Sequence, residues 1–255
     1  MKFVISAATD VGTRKKINQD SLFVRKIRTR AGKMVFAVLC DGMGGLTHGE
    51  LASASILSAF TEWMYVQLPV LSQKPLEDCA IREQWSETIR CQNDKIRAYG
   101  CRNQCAVGST VTALLMTENR YFLLNIGDTR AYEIGENVVR LTEDHTLAAK
   151  EVRLGNMTDA QAEKASIRNV LTRCVGVEDR VRPDMFFGDV RKNTVYMLCS
   201  DGFRHCITAD EMKEYLLRNT WNDSYEIKQQ EERLIELAKR RGETDNISVI
   251  TIHAG

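Results

Sequence analysis

The 255-residue sequence predicts an α+β fold, a central sandwich of two antiparallel β-sheets flanked by helices on both outer faces. Three observations lead there. Strand-like segments fall into an early and a late block, helix-like segments gather between and after them, and short turn-rich connections join neighbouring strands. The early strands are Phe3–Ala8, Ser21–Ile27 and Met34–Cys40. A helix follows over Gly49–Leu68, where Leu57, Phe60, Met64 and Leu68 recur at helical spacing among small Ala and Ser residues, and a second helical stretch covers 78–99. The late strands are Thr110–Met116, Tyr121–Ile126, Arg130–Ile134, Val138–Leu141, Thr194–Cys199 and Ile247–Ile252. Glu118-Asn119-Arg120 and Gly135-Glu136-Asn137 read as hairpin connections, which implies antiparallel pairing. Two late helices cover Ala209–Arg218 and Tyr225–Arg241, the first opened by Thr208 with Glu211 three residues on, the pattern of a capping box. The segment Thr142–Arg173 is mixed and polar and gives no clear periodicity.

Composition narrows the function classes. Lys and Arg number 35 against 34 Asp and Glu, a net charge of +1, which argues against a chain built to coat nucleic acid. Hydrophobic residues at 44% and charged residues at 27% suit a globular core, and no apolar run approaches the roughly 18 residues of a membrane span. With 3 prolines, no Ser/Gly tract and no repeat at solenoid periods, a single domain over 1–255 is expected. The start of the chain does not read as a secretory signal, and a cytoplasmic location is expected. The 8 cysteines (40, 79, 91, 101, 105, 174, 199 and 206) are accordingly expected as reduced thiols, most of them acting as small hydrophobes.

The informative pattern is where the aspartates fall. Val35–Cys40 runs into Asp41-Gly42, Tyr121–Ile126 into Gly127-Asp128, and Val195–Cys199 into Ser200-Asp201-Gly202. Asp245-Asn246 precedes the last strand, and Asp20 precedes Ser21–Ile27. Each alone reads better as an ordinary turn residue. Together they suggest carboxylates crowded on one rim, where like charges repel unless cations neutralise them. The donors are oxygens, without His or Cys at comparable strand ends, so Mg²⁺ or Mn²⁺ suits the set better than Zn²⁺. Two such ions side by side can activate a water and clamp an in-line displacement at phosphorus. Asp41-Gly-Met-Gly-Gly45 adds a glycine-dense turn at the first strand end, which reads either as a tight connection or as a place where the Gly42 carbonyl is open to a ligand.

These segments together resemble the metal-dependent protein phosphatase (PPM, or type 2C) family in its compact bacterial form. The matching pieces run in the family's order. They are Asp10-Val-Gly-Thr-Arg-Lys-Lys-Ile-Asn-Gln-Asp20, Asp41-Gly-Met-Gly-Gly, Gly49-Glu50, Gly108-Ser-Thr, Asn125-Ile-Gly-Asp-Thr-Arg130, Leu141-Thr-Glu-Asp-His145, Asn169-Val-Leu-Thr-Arg173, Ser200-Asp-Gly-Phe203 and Asp245-Asn-Ile-Ser-Val249. The resemblance implies a protein serine/threonine phosphatase with two Mn²⁺ or Mg²⁺ ions, or three. A bridging water would attack phosphoserine or phosphothreonine directly, without a covalent phosphoenzyme. Asp41 would bridge the ions and Gly42 would offer its carbonyl. Asp201 and Asp245 would complete the first site, Asp20 would act through metal-bound waters, and Asp128 with Asp201 would take a third ion. The implied partners are phosphorylated proteins and an opposing Ser/Thr kinase. No nucleic acid or membrane partner is expected, and the chain is expected to be a monomer. Residues 142–173 correspond to the family's flap beside the site.

The chain departs from the family pattern at three places. Lys15 stands where an arginine commonly holds the substrate phosphate, with Arg14 beside it, so either residue is a candidate phosphate contact. Gln19 replaces a common glutamate, and Met43 occupies the position of a proton-donating histidine. His48 reads as a helix-start polar residue, and His145 as structural or flap-related. A cysteine-based phosphatase needs Cys and Arg six residues apart. Cys174 with Arg180 and Cys91 with Arg97 have that spacing, but the first pair encloses Glu178 and Asp179 and the second lies in a helical stretch. Cys101 and Cys105 lack a second pair for a zinc site. A non-catalytic binding module on the same fold is the remaining alternative, disfavoured because all the principal aspartates are present.

Overall fold

The computed structural model describes residues 1–44, 48–218, 221 and 223–255. Gly45, the last glycine of the dense turn, lies outside the described residues.

Two antiparallel sheets face each other. One is five-stranded, with β1 (Phe3–Asp10) beside β11 (Ile247–Ala254), then β10 (Thr194–Cys199), β7 (Arg130–Ile134) and β8 (Val138–Arg140). The other is ordered β2 (Asp20–Thr29), β3 (Gly32–Gly44), β5 (Val111–Met116), β6 (Arg120–Ile126) and β9 (Asp184–Asp189), with the short β4 (Val107–Ser109) on the far end of β3. Alternation along β3 shows why its sequence is apolar without a break. Val35, Ala37 and Leu39 face the opposite sheet, packing with Leu198 and Ile250. Met34, Phe36, Val38 and Cys40 face outward onto α1 (Gly49–Val66) and α3 (Asp78–Asn103), against Phe60, Trp63 and Trp85. A strand covered on both faces has no polar side to alternate with. The outer face of the five-stranded sheet is covered likewise, by Leu234 and Ile235 of α8 (Ser224–Arg240) and Met212 and Leu216 of α7 (Ala209–Leu216).

Most elements lie where the sequence puts them. The hairpins at 118–120 and 135–137 join antiparallel neighbours, β5 to β6 and β7 to β8. The Thr208–Glu211 capping box is formed. Differences have local causes. The predicted helix over 49–68 divides, because Pro69 opens a separate α2 (Leu68–Leu71). β4 carries Gly108 at its centre and is too short to show a pattern. β9 is an edge strand whose Gly188 lies against the Tyr121 ring, a spot without room for a side chain. The 142–173 segment holds α4 (Leu147–Arg153) and α5 (Asp159–Ala162), both opened by threonine caps. A last short helix, α6 (Asp201–Arg204), follows β10. All eight cysteines are free, but only Cys40, Cys174 and Cys199 are buried, so the expectation that most act as core residues is corrected. Cys79, Cys91 and Cys101 sit on α3, whose polar outer face accepts them. No helix among the described residues is long and apolar enough to cross a membrane.

Candidate metal centre at the strand ends

The sandwich brings the five aspartates to one end. Asp20 opens β2 and is paired in register with Asp41 on β3. Asp128 lies in the β6–β7 connection, Asp201 begins α6 directly after β10, and Asp245 precedes β11. Their charges act on one another. Asp41 feels Asp20, Asp201, Asp128 and Asp245, and Asp20 feels Asp201 and Asp245.

The polar residues around each aspartate explain several of the sequence motifs. The Asp41 amide donates to Thr110 Oγ1 at 2.9 Å, and its carbonyl oxygen accepts from Ser109 Oγ at 2.9 Å and from the Thr110 amide at 2.9 Å. Gly108-Ser-Thr therefore clamps the Asp41 backbone. Asp20 Oδ2 accepts from Ser248 Oγ at 2.6 Å. Asn246 ties down the loop carrying Lys15: its Oδ1 accepts the Gln19 amide at 2.9 Å, and its Nδ2 donates to the Val11 carbonyl at 2.9 Å and to the Ile17 carbonyl at 3.2 Å. Glycine at 42 is required by packing. A Cβ there would stand 2.2 Å from the Gly49 carbonyl oxygen, where the start of α1 lies on β3. Gly12 has φ +79° and would place a Cβ 1.9 Å from the Asp245 carbonyl oxygen, so only glycine lets this loop cross Asp245.

The electrostatics are those of a site short of positive charge. Asp41 keeps part of its surface accessible, yet desolvation by the surrounding protein, followed by the neighbouring carboxylates, raises its pKa well above the ordinary range. Desolvation likewise pushes Asp20 up to about 7, against the lowering effect of the Ser248 hydroxyl. Asp128 is pushed to about 7 by desolvation and by Asp201, with Arg204 opposing. Buried Oδ1 atoms of Asp20 and Asp201 have no hydrogen-bond partner. Such atoms are costly unless something else satisfies them. Hard oxygen donors, orphaned lone pairs and mutual repulsion fit divalent cations of the Mg²⁺ or Mn²⁺ type. The fit is to a cluster, not a closed cage: among the described residues no three His, Cys, Asp or Glu side chains stand in metal-holding geometry.

Of the two candidate phosphate contacts, only Lys15 reaches the cluster. Its Nζ lies 2.8 Å from Asp245 Oδ1, while Arg14 is exposed on the loop. Burial works against the ammonium, but the Asp245 bond and the charges of Asp245, Asp41 and Asp201 outweigh it and raise its pKa. Gln19 Nε2 stands 3.4 Å from Glu50 Oε2. His48 precedes α1 with φ 80° and makes no side-chain cap.

Residues not singled out by sequence complete the site. Arg204 is buried against Asp128. His205 lies between Glu243 (3.5 Å) and Asp201 (4.0 Å), and Glu243 Oε1 accepts the Thr244 and Asp245 amides at 2.7 and 2.9 Å. Ser248 stood inside the Asp245-Asn-Ile-Ser-Val249 motif; Arg204 and Glu243 gave no signal. His145 is structural. Its Nδ1 accepts the Gly127 amide at 3.0 Å, so Nε2 carries the proton toward Asp184 Oδ2 at 2.9 Å, and burial lowers its pKa. The 142–173 segment rests beside the cluster. A cleft of about 290 Å³ between it and the sandwich is lined by Asp144, Ala149 and Val152 on one side and Arg130, Arg204 and His205 on the other.

Neither cysteine reading has a site. Cys91 lies within α3, and Cys174 is buried with its thiol pushed up to about 11 by desolvation and Glu178. Arg180 sits in an irregular turn, where neighbouring Asp179 pairs with Arg97. Cys101 lies on α3 and Cys105 just beyond its end.

Comparison with known proteins gives the family and the fold. A family profile described as Protein phosphatase 2C matches residues 12–239. A putative protein phosphatase 2C-type of Streptococcus pyogenes is 29% identical over 252 residues, 98% of this chain and 96% of the relative. The protein phosphatase PhpP of Streptococcus pneumoniae is 28% identical over 97% of this chain and 96% of its own length. Among solved structures, the serine/threonine phosphatase of S. agalactiae superposes with a TM-score of 0.84 at 26% identity, covering 100% of both chains. The catalytic domain of serine threonine protein phosphatase PstP, in complex with 2 manganese ions, superposes at 0.78 with 28% identity, over 99% of both chains.

Proposed function

The chain belongs to the protein phosphatase 2C family, and from that premise we propose that it hydrolyses phosphoserine and phosphothreonine in proteins with a pair of divalent cations held at the strand ends. The single observation that carries the metal reading is the pair of orphaned, buried Oδ1 atoms on Asp20 and Asp201 within a cluster of mutually repelling carboxylates. Asp41, Asp201 and Asp245 would hold the ions, with the Gly42 carbonyl beside Asp41 and Asp20 one ladder position across. The ions, when bound, supply Lewis acidity and an activated water for direct attack on phosphorus.

The chain's own residues do the rest. Thr110 and Ser109 fix the Asp41 backbone, so the carboxylate is preorganised. Lys15 brings a mobile ammonium to the open side of the cluster, suited to neutralise a phosphate oxygen. Ser248 holds one oxygen of Asp20 and leaves the other free. The 142–173 segment borders the site and would contact the peptide carrying the phosphate. The proposal includes one domain over 1–255, a cytoplasmic monomer, Mn²⁺ as well as Mg²⁺ as usable ions, and a Ser/Thr kinase as counterpart. The test is phosphate release from a phosphothreonine peptide with Mn²⁺, with Mg²⁺ and with a chelator. Release that survives complete chelation removes the metal reading.

A further inference from the structure

Arg204 lies one helical turn beyond Asp201, on the face that Asp201 also presents. Its Nη2 donates to Asp128 Oδ2 at 3.1 Å, and its Nε to the Asp128 carbonyl oxygen at 3.3 Å. The guanidinium also comes within 3.8 Å of Asp144. The Arg204 and Asp128 side chains are 7% and 5% exposed. Arg130 closes the group: its Nε donates to the two Asp144 carboxylate oxygens at 2.9 and 3.1 Å, and its Nη2 to Oδ2 at 2.7 Å. Two guanidiniums and two carboxylates thus pair inside the protein, with Asp201 as a further carboxylate acting on Asp128.

We infer that Arg204 is the resident cation of Asp128, so that this chain does not take a third divalent ion there. The inference borrows the choice of Mn²⁺ from the binuclear reading and is judged separately from it. A buried carboxylate offers one negative charge, and here a guanidinium already meets it. A dication on the same carboxylate would stand within a few ångströms of that guanidinium, in surroundings where like charges repel far more than in water. The carboxylate oxygen of Asp128 that Arg204 engages, Oδ2, already has its partner. The third site implied by resemblance, Asp128 with Asp201, is therefore filled from within the chain, by the same short helix that begins with Asp201.

The test is the number of Mn²⁺ ions bound per chain at saturating free Mn²⁺, from equilibrium dialysis with metal analysis. Wild type and Asp128→Asn are expected to bind the same number. Arg204→Ser is expected to bind one more, and the double variant Arg204→Ser/Asp128→Asn to lose it again. Arg204→Lys, which keeps the charge, should keep the wild-type count. A loss of one ion in Asp128→Asn, or no gain in folded Arg204→Ser, overturns the inference. If Arg204→Ser fails to fold, because it strands two buried carboxylates, wild type against Asp128→Asn decides alone. Equal counts support the inference and a loss of one overturns it. A wild-type count of zero would sink the binuclear reading, while the difference of one ion between variants would still decide this one.

Discussion

Lys15 Nζ and Asp245 Oδ1 stand 2.8 Å apart and join the loop after β1 to the turn before β11. Asp245 is also an expected metal ligand, so the ammonium and the cation compete for one carboxylate. Both side chains are about two-fifths exposed, which leaves Lys15 free to swing toward a phosphate once the cation takes Asp245. Lys15→Ala should therefore act in opposite directions on two measurements. Mn²⁺ affinity should rise several-fold by calorimetry. Meanwhile kcat/KM for a phosphothreonine peptide should fall on the order of 10–100-fold, the usual cost of losing one charge-assisted contact. Arg14→Ala should lose less, because Arg14 does not reach the cluster. A larger loss in Arg14→Ala would exchange the two roles.

Asp41 carries a prediction that separates stability from activity. Its pKa is raised well above the ordinary range, by desolvation first and then by Asp20, Asp201, Asp128 and Asp245. Asn keeps the shape and removes the charge. In metal-free protein Asp41→Asn should melt a few degrees higher, about 1–2 kcal/mol of relief. Turnover with Mn²⁺ should be abolished and the circular dichroism spectrum kept. Near-normal turnover would refute the bridging role.

Metal loading should release protons. Asp20 titrates at about 7 in the metal-free fold, raised by desolvation, so at pH 6 it is largely protonated. A carboxylate must lose its proton to serve a cation. Calorimetry of Mn²⁺ binding in buffers of different ionisation enthalpy should show net release at pH 6 that shrinks above pH 7.5. Chelation should abolish activity, and alkylation of the exposed Cys79 and Cys101 should leave it intact. Release that is the same at both pH values would contradict the raised carboxylates.

The sequence showed the strands and the aspartates for the same physical reason. β3 and β10 are covered on both faces, so they read as apolar runs, and the polar residues that end them stand out. Ion pairs across the fold were not legible. Arg204 meets Asp128 from 76 residues away, and nothing near Arg204 distinguishes it from a solvent-facing charge on a short helix. The Asn246 clamp was half legible, since Asp245-Asn246 marked a turn but not which loop the amide would hold. α4 and α5 were missed because a one- or two-turn helix on the surface buries too little to impose a period. Lys15 and Arg14 were indistinguishable as neighbours. In the fold Lys15 reaches Asp245, while Arg14 stays exposed.

Glu231 supplies a pH test far from the metal centre. It lies on α8 under β1, fully buried, with Oε2 accepting from Ser6 Oγ at 2.6 Å and Oε1 without a partner. Desolvation raises its pKa from 4.5 to about 7, against the Ser6 and Thr251 hydroxyls, which favour the charged form. The folded protein therefore holds a proton that the unfolded chain has lost, throughout the interval between those two values. Stability must fall as pH rises from about 4.5 to about 7 and level off above, by at most roughly 3 kcal/mol from this group. Glu231→Gln mimics the protonated acid at every pH. It should match wild type near pH 5, exceed it at pH 8, and flatten the slope between them in urea unfolding followed across that range. The Ser6 contact survives in the amide, since its oxygen still accepts. A variant less stable than wild type at pH 8 would mean that the ionised carboxylate is satisfied in the fold and that burial does not govern it.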